Sequence, residues 1–412
     1  MDLTVLVFLL VYLAMGCGTL PGFKVDRTGA AIIGALAMLV VGSITAQAAW
    51  NAIDYRTLGM LFGLMVVSAG FSVSGFYGWV AKRMTELPLS PPHLVGVMII
   101  TGAAFSAFLT KDVVAVAMTP LLVSVSLARG LNPVPFLLAF CFAVNTGSTA
   151  TLIGSPQNMI TAQQLGLSFN GFLKIAALPA VLSLPVVWGV IVFAYRGRWE
   201  LKQPMSAATD TSEAGSIDLM ETAKTAVVAI VVIGLFIFSD LPRELVAMGG
   251  AGILLVSRKI SSHDMLKHVD GDLLLLIMGL FIVNAAVSST GLPQDLLNHL
   301  REAGLDLNEP ISLLLVGGVL SNLVGNNPAV MLLVPYLHSG TGADALGAAL
   351  ALGTGFSSNM IVFGSLAGII VVEQAAARGI RISFAEFART GAVVTVLCMI
   401  MAVSWILVLG KI

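Results

Sequence analysis

Apolar runs of about 20 residues follow one another along this chain with short polar gaps between them, each long enough to carry a helix across a bilayer. The runs at 3–21, 29–48, 57–80, 134–165, 171–195, 222–239, 243–257, 272–290, 343–375 and 386–410 read as helices. Two further runs, 93–127 and 309–338, each hold a polar break in the middle. Hydrocarbon offers the backbone no hydrogen-bond partner, so only helices or closed barrels can cross it. The alternating segments of about 10 residues that mark a barrel are absent. With 57% of residues hydrophobic and 10% charged, the expected fold is an all-α polytopic membrane protein with about 10 transmembrane helices.

Cys17, Cys141 and Cys398 are far apart and lie in apolar segments, which argues against a disulfide framework and against a zinc site. His93, His263, His268, His299 and His338 fall mostly in expected loops, and none makes a convincing metal pair. No metal and no cofactor is expected. After Met1 and Asp2 the chain turns apolar without the basic stretch of a signal peptide, so the first run reads as the first membrane helix. The net charge of −1 gives no sign of a nucleic-acid partner, and none is expected.

The two halves resemble each other. Asp54 falls opposite Asp270, Gly63 opposite Gly279 and Gly75 opposite Gly291, all at an offset of 216. "FSAFLTKDVVAVAMTP" (105–120) aligns with "LSNLVGNNPAVMLLVP" (320–335) at 215, "IGS" (153–155) with "FGS" (363–365) at 210, and "SF" (168–169) with "SF" (383–384) at 215. A near-constant offset across a whole half marks an internal duplication. The expected organisation is a first repeat at 1–200, a cytoplasmic linker at 201–221 and a second repeat at 222–412. Each half has five spanning helices plus one interrupted stretch. Whether that stretch dips and returns or crosses twice, an odd number of crossings remains, so the second half enters from the opposite face. Two inverted five-helix repeats, each with one re-entrant hairpin and one broken helix, are expected, an architecture of secondary transporters.

Lysine and arginine set the orientation. Lys24, Arg27, Lys82, Arg83, Arg129, Arg196, Arg198, Lys202, Lys224, Arg258, Lys259, Lys267, Arg378, Arg381 and Arg389 fall on one side, against Arg56, Lys174, Arg243, Arg301 and Lys411 on the other. The positive-inside rule makes the first set cytoplasmic. Both termini then lie outside the cell's inner (plasma) membrane.

Four polar breaks interrupt the apolar runs: "LTKD" (109–112), "NTGSTATLIGSPQN" (145–158), "VGNNP" (324–328) and "GTGFSSNMIVFGS" (353–365). Non-helical backbone at membrane depth must face protein or water. Two tips and two broken helices, matched by the repeat, converge on one midplane site in this reading. Helix N-termini there offer N–H groups to an anion, while freed carbonyls and side-chain oxygens can hold a cation. The candidate substrate-binding residues are Thr110, Asn145, Thr146, Gly147, Ser148, Thr149, Ser155 and Asn158 in the first half. In the second they are Gly325, Asn326, Asn327, Thr354, Ser357, Ser358, Asn359 and Ser365. The competing reading is close helix packing through small residues, which one run alone would allow and two symmetric pairs disfavour. Lys111 and Asp112 are charges at membrane depth. Such charges are usually functional; the alternative is a mutually neutralising structural pair.

At these residues the chain resembles the ion transporter superfamily, which holds arsenite permeases, divalent-anion/sodium symporters, citrate-transporter-like permeases and a class of sodium/proton antiporters. "PGFKVDRTGAAIIGA", "FLTKDVVAVAMTP", "NTGSTATLIGSPQNM", "SNLVGNNPAVMLLVP" and "GSLAGIIVVEQAAARGIRISFAEF" look like its signatures. The likeness is strongest to bacterial anion permeases of the citrate-transporter-like group. It implies elevator-type alternating access. It also allows a homodimer and, as for some arsenite permeases, a separate ATPase subunit. In the symporter branch each tip carries a Ser-Asn-Thr motif that holds substrate and sodium. Here the tips read Thr110-Lys111-Asp112 and Gly325-Asn326-Asn327, so neither keeps it.

The expected function is secondary active transport of a small anion or oxyanion, not coupled to sodium. The alternative is sodium/proton antiport with Asp112 as the titrating carboxylate. No HExxH, GxSxG or GxxxxGK[ST] is present, so neither an enzyme nor ATP hydrolysis by this chain is expected.

Overall fold

The computed structural model describes residues 3–20, 22–201 and 217–409. Met1 and Asp2, linker residues 202–216, Lys202 and Lys411 lie outside the described residues. The first half runs α1 (Leu3–Cys17), α2 (Arg27–Val41), α3 (Ala46–Ala52), α4 (Tyr55–Val73), α5 (Phe76–Glu86), α6 (Pro91–Phe108), α7 (Lys111–Ala128), α8 (Pro133–Gly147), α9 (Pro156–Leu165) and α10 (Phe169–Ala194). The second runs α11 (Leu219–Phe238), α12 (Arg243–Leu255), α13 (Ser262–Leu266), α14 (Gly271–Ser288), α15 (Leu292–Glu302), α16 (Pro310–Val324), α17 (Asn326–Leu333), α18 (Ala343–Ser357), α19 (Leu366–Ala377) and α20 (Phe384–Leu409). Among the described residues 8 helices are long and apolar enough to cross a membrane, and α1, α2, α16 and α19 are shorter apolar helices.

Every helix of the first half has a counterpart ten places on. The bounds of α5 recur in α15 at an offset of 216, and those of α8 in α18 at 210. Helices α10 and α20, both 26 residues long, lie 215 apart. The matched residues are the ones that start and stop helices. Asp54 and Asp270 are the N-caps of α4 and α14, each accepting from first-turn amides, the stabilising role of a short polar side chain there. Ser168 and Ser383 accept in the same way from Gly171 and Glu386 at the starts of α10 and α20. Gly75 (φ 79°) and Gly291 (φ 77°) end one helix and begin the next. Only glycine enters that left-handed region without cost. The run expected at 57–80 is therefore two helices, because Gly75 redirects the chain after Ser74.

Packing between the halves is reciprocal. Helix α4 lies against α12, and α14 against α2. A methyl at Gly63 would sit 2.5 Å from the carbonyl carbon of Ala247, and one at Gly279 would sit 2.8 Å from that of Ala31. Gly63 and Gly279 are repeat mates, and so are Ala31 and Ala247. Gly34 meets Val283 as Gly250 meets Val67, again with the partners exchanged. Lipid supplies no hydrophobic drive between such helices, so contact rests on backbones that approach closely through small residues. Within each half, α8 rests on α6 and α18 on α16. Gly147 abuts Ala103, and Gly353 abuts Leu314. These clamps carry the interrupted helices into the middle of the molecule.

Candidate functional site

All four breaks are present and are narrower than the sequence suggested. Leu109 and Thr110 are extended between α6 and α7, whereas Lys111 and Asp112 already form the first turn of α7. Gly325 alone separates α16 from α17 (φ 91°, ψ 159°). Helix α8 continues through Gly147. A 3-10 turn at Ser148–Ala150 and irregular backbone then lead to α9. Helix α18 continues through Ser357, and a 3-10 turn at Val362–Gly364 precedes α19. Asn145, Thr146, Gly147, Thr354 and Ser357 are thus helical, because no proline interrupts them and the hydroxyls of Thr146, Thr354 and Ser357 bond back to carbonyls of the preceding turn. Thr146 Oγ1 donates to Phe142 O (2.9 Å) and Thr354 Oγ1 to Leu350 O (2.8 Å).

Each loop after a break folds over one glycine. A methyl at Gly154 would lie 2.3 Å from Ser148 O, and one at Gly364 would lie 2.6 Å from Asn322 Oδ1 and 3.3 Å from Ser358 O. The first tip is tied down from two sides. Lys111 N donates to Gly154 O (3.1 Å), and Thr110 N and Oγ1 both donate to Ser68 Oγ of α4 (3.0 Å).

A cavity of about 70 Å³ lies where the four breaks meet. Lys111 and Asp112 come from the start of α7, Gln157 from the start of α9, Asn326 and Asn327 from the start of α17, and Ser365 and Leu366 from the start of α19. Four helix N-termini therefore border one space. Each brings its first-turn backbone and the positive end of a helix dipole. Arg27 of α2 completes the wall, so its formal charges are two positive and one negative.

Unpartnered buried side-chain atoms gather here. On the wall are Lys111 Nζ, Asp112 Oδ1, Gln157 Nε2 and Asn327 Oδ1, with Asn145 Oδ1, Ser155 Oγ and Asn158 Oδ1 belonging to the first broken helix. Lys111 is 2% exposed and Asp112 6%. No direct ion pair joins them, although the two side chains lie close enough for each charge to act on the other. Buried polar atoms are nearly always satisfied, and a cluster of exceptions marks a place built to receive another polar group.

Of the sequence candidates, the cavity wall takes Lys111, Asp112, Gly325, Asn326, Asn327 and Ser365. The others support it from behind. Asn145 Nδ2 donates to Asn359 Oδ1 (3.0 Å) and Ser365 Oγ (3.2 Å), joining the two broken helices. Asn326 Nδ2 donates to Ser358 Oγ (2.8 Å), joining the second tip to the second broken helix. Ser357 Oγ is paired with Ser321 Oγ, and Asn158 Nδ2 donates to Ser148 O and Thr151 O. Thr149 Oγ1 and Ser148 Oγ donate to carbonyls three residues back. Gly147 is a packing residue, since Ala103 fills the space beside it. Thr110 faces away from this cavity toward Ser68.

Arg27, Gln157 and Ser68 were not among the candidates. Gln157 stands beside the chosen Asn158 in "SPQN". Neighbours at a helix start point about 100° apart, and residue type does not reveal which one faces inward. Arg27 read as a loop charge, yet it opens α2.

This is the fold of a multi-pass membrane transporter. It matches the crystal structure of the Alcanivorax borkumensis YdaH transporter over 99% of this chain and 98% of that one, with a TM-score of 0.52 at 15% identity. A sequence model of the citrate transporter family (CitMHS) matches residues 10–355, and the chain belongs to that family. It is 30% identical over 406 residues to a 46 kDa membrane protein of Mycobacterium leprae, covering 92% of this chain and 93% of the relative. A silicon efflux transporter of rice, LSI3, is 33% identical over 165 residues, 40% of this chain and 34% of that one.

Proposed function

We propose that this family member is a secondary active carrier of a small anion or oxyanion that works by alternating access without sodium. The observation that carries the reading is the cavity bordered by four helix N-termini and by the unpartnered ammonium of Lys111. Helix N-termini favour anions, and the fixed charge of Lys111 supplies what a bound sodium would otherwise supply. About 70 Å³ suits an inorganic-sized anion in this conformation, and a tricarboxylate would require the cavity to open. The silicon of the rice relative and the citrate of the family bracket that range. In this reading 93–127 and 309–338 are re-entrant hairpins dipping from opposite faces of the inner membrane, both termini are extracytoplasmic, and the chain carries its substrate without altering it.

The test is uptake into proteoliposomes of radiolabelled citrate, arsenite and phosphate, with sodium replaced by potassium or choline at fixed pH. Rates should be unchanged by the replacement and should respond to the pH gradient or the anion gradient. Lys111→Asn should abolish that uptake or make it sodium-dependent. Strict sodium dependence of the unmodified protein would remove Lys111 from the role of surrogate cation. A second reading, sodium/proton antiport through Asp112, is favoured by its unpartnered Oδ1. It requires sodium efflux driven by a pH gradient with no anion present.

A further inference from the structure

Asp112 has a second side. A separate cavity of about 190 Å³ reaches it from the loop that precedes α14. Ser72 of α4, Thr110 and Asp112 line its inner part, and Lys267, His268 and Asp270 line the part formed by that loop. Asp112 is the one residue common to the walls of the two cavities, whereas Lys111 faces only the smaller one.

The chemistry of the two spaces differs. The smaller has N-termini, Lys111 and Arg27. The larger has two carboxylates, two hydroxyls, an imidazole and the Lys267 ammonium, a lining with net negative formal charge that suits a proton better than an anion. Lys267 is held by Asp264 at 3.1 Å, so its charge is partly answered outside the cavity. Asp270 lies just outside the α14 span, and burial pushes its carboxyl above the ordinary range, which favours proton exchange nearer neutral pH.

We infer that the larger cavity is the proton path to Asp112, so that proton and anion reach opposite sides of one carboxylate. This rests on the reading of the smaller cavity as an anion site. The groups facing Asp112 fix the sign of the coupling. Lys111 stands beside it on α7, Arg27 and Gln157 lie across the smaller cavity, and Asp270, His268 and Lys267 lie across the larger. Cys141 of α8 lies toward Lys111, and Tyr77 of α5 packs on Phe105. A proton arriving through the larger cavity adds to one Asp112 oxygen and leaves the same way. Its arrival takes the formal charge of the smaller cavity's wall from one positive to two. Anion affinity therefore rises as pH falls, and by linkage the anion raises proton affinity equally.

The test uses single-cysteine variants. Cys17 is exposed, whereas Cys141 and Cys398 are buried, so Cys17→Ser provides the background. On it, Ser72→Cys, a near-isosteric change, and the reference Lys267→Cys are treated with a membrane-impermeant maleimide from each face of oriented vesicles. Ser72→Cys should react from the same face as Lys267→Cys. Reaction only from the opposite face, or none while Lys267→Cys reacts, overturns the path. Asp270→Asn keeps the acceptor that caps α14 and removes the charge. With citrate as the probe anion, the ratio of pH-driven uptake to exchange at equal pH should fall about tenfold. An unchanged ratio also overturns it. If citrate is not carried at all, the labelling result still decides the path, and only the anion reading falls.

Discussion

Lys111 is a costly side chain to bury, at 2% exposure. An ammonium at the bilayer centre costs about 3 kcal/mol on insertion scales, and here its Nζ has no hydrogen-bond partner. If Lys111 serves the proposed anion site, the trade between stability and activity can be measured directly. Lys111→Met keeps the length and removes the charge. It should raise the apparent Tm in detergent by a few degrees, equivalent to about 1–3 kcal/mol, while uptake falls to background. A lowered Tm would mean that the ammonium makes a structural contact after all. The same scale shows where sequence reading ran out. Lys111, Asp112, Asn326 and Asn327 were legible because charge and amides stand out in an apolar run. Thr146, Thr149 and Thr354 looked alike on paper, but their hydroxyls donate to carbonyls of their own helix turns. That choice between a helix carbonyl and a cavity is made by backbone direction, which composition does not record.

At the level of the element, the breaks decide the architecture. Gly325 holds φ 91° and ψ 159°, a region essentially restricted to glycine, where another residue costs about 1–3 kcal/mol. Gly325→Ala should therefore leave the protein inserted, with normal yield in the membrane fraction, while uptake drops at least tenfold. Unchanged uptake would show that the tip tolerates a shifted α17 and would weaken its claim to the cavity. The existence and pairing of the breaks were readable, since proline, glycine and amides clustered in a lipid-length run interrupt its helix. Their widths were not. Helix α8 runs on to Gly147 and α18 to Ser357 because the Ser and Thr residues there are satisfied by the turn behind them. Ser74 and Gly75 passed as part of one long helix because a single glycine in an apolar run more often packs than turns.

Over the whole molecule, the duplication read from offsets becomes a set of exchanged contacts. Gly63 on Ala247 and Gly279 on Ala31 are the same contact made twice. Gly63→Val and Gly279→Val should therefore lower the Tm by similar amounts. A large loss for one and none for the other would show that only one of the two crossings bears on stability. Family membership over residues 10–355 agrees with the superfamily resemblance seen in the motifs.

Those exchanged contacts define an isologous interface, in which residue i meets j and j meets i, the signature of a two-fold dimer. In assembly terms the described residues are arranged like two subunits of a two-fold dimer joined in one chain. The two halves share the glycines and caps at these contacts and differ at the tips, where one carries Lys111-Asp112 and the other Asn326-Asn327. A symmetric dimer of identical subunits would have to carry identical tips, whereas one chain with two separate half-sequences can hold a charged pair at one tip and two amides at the other.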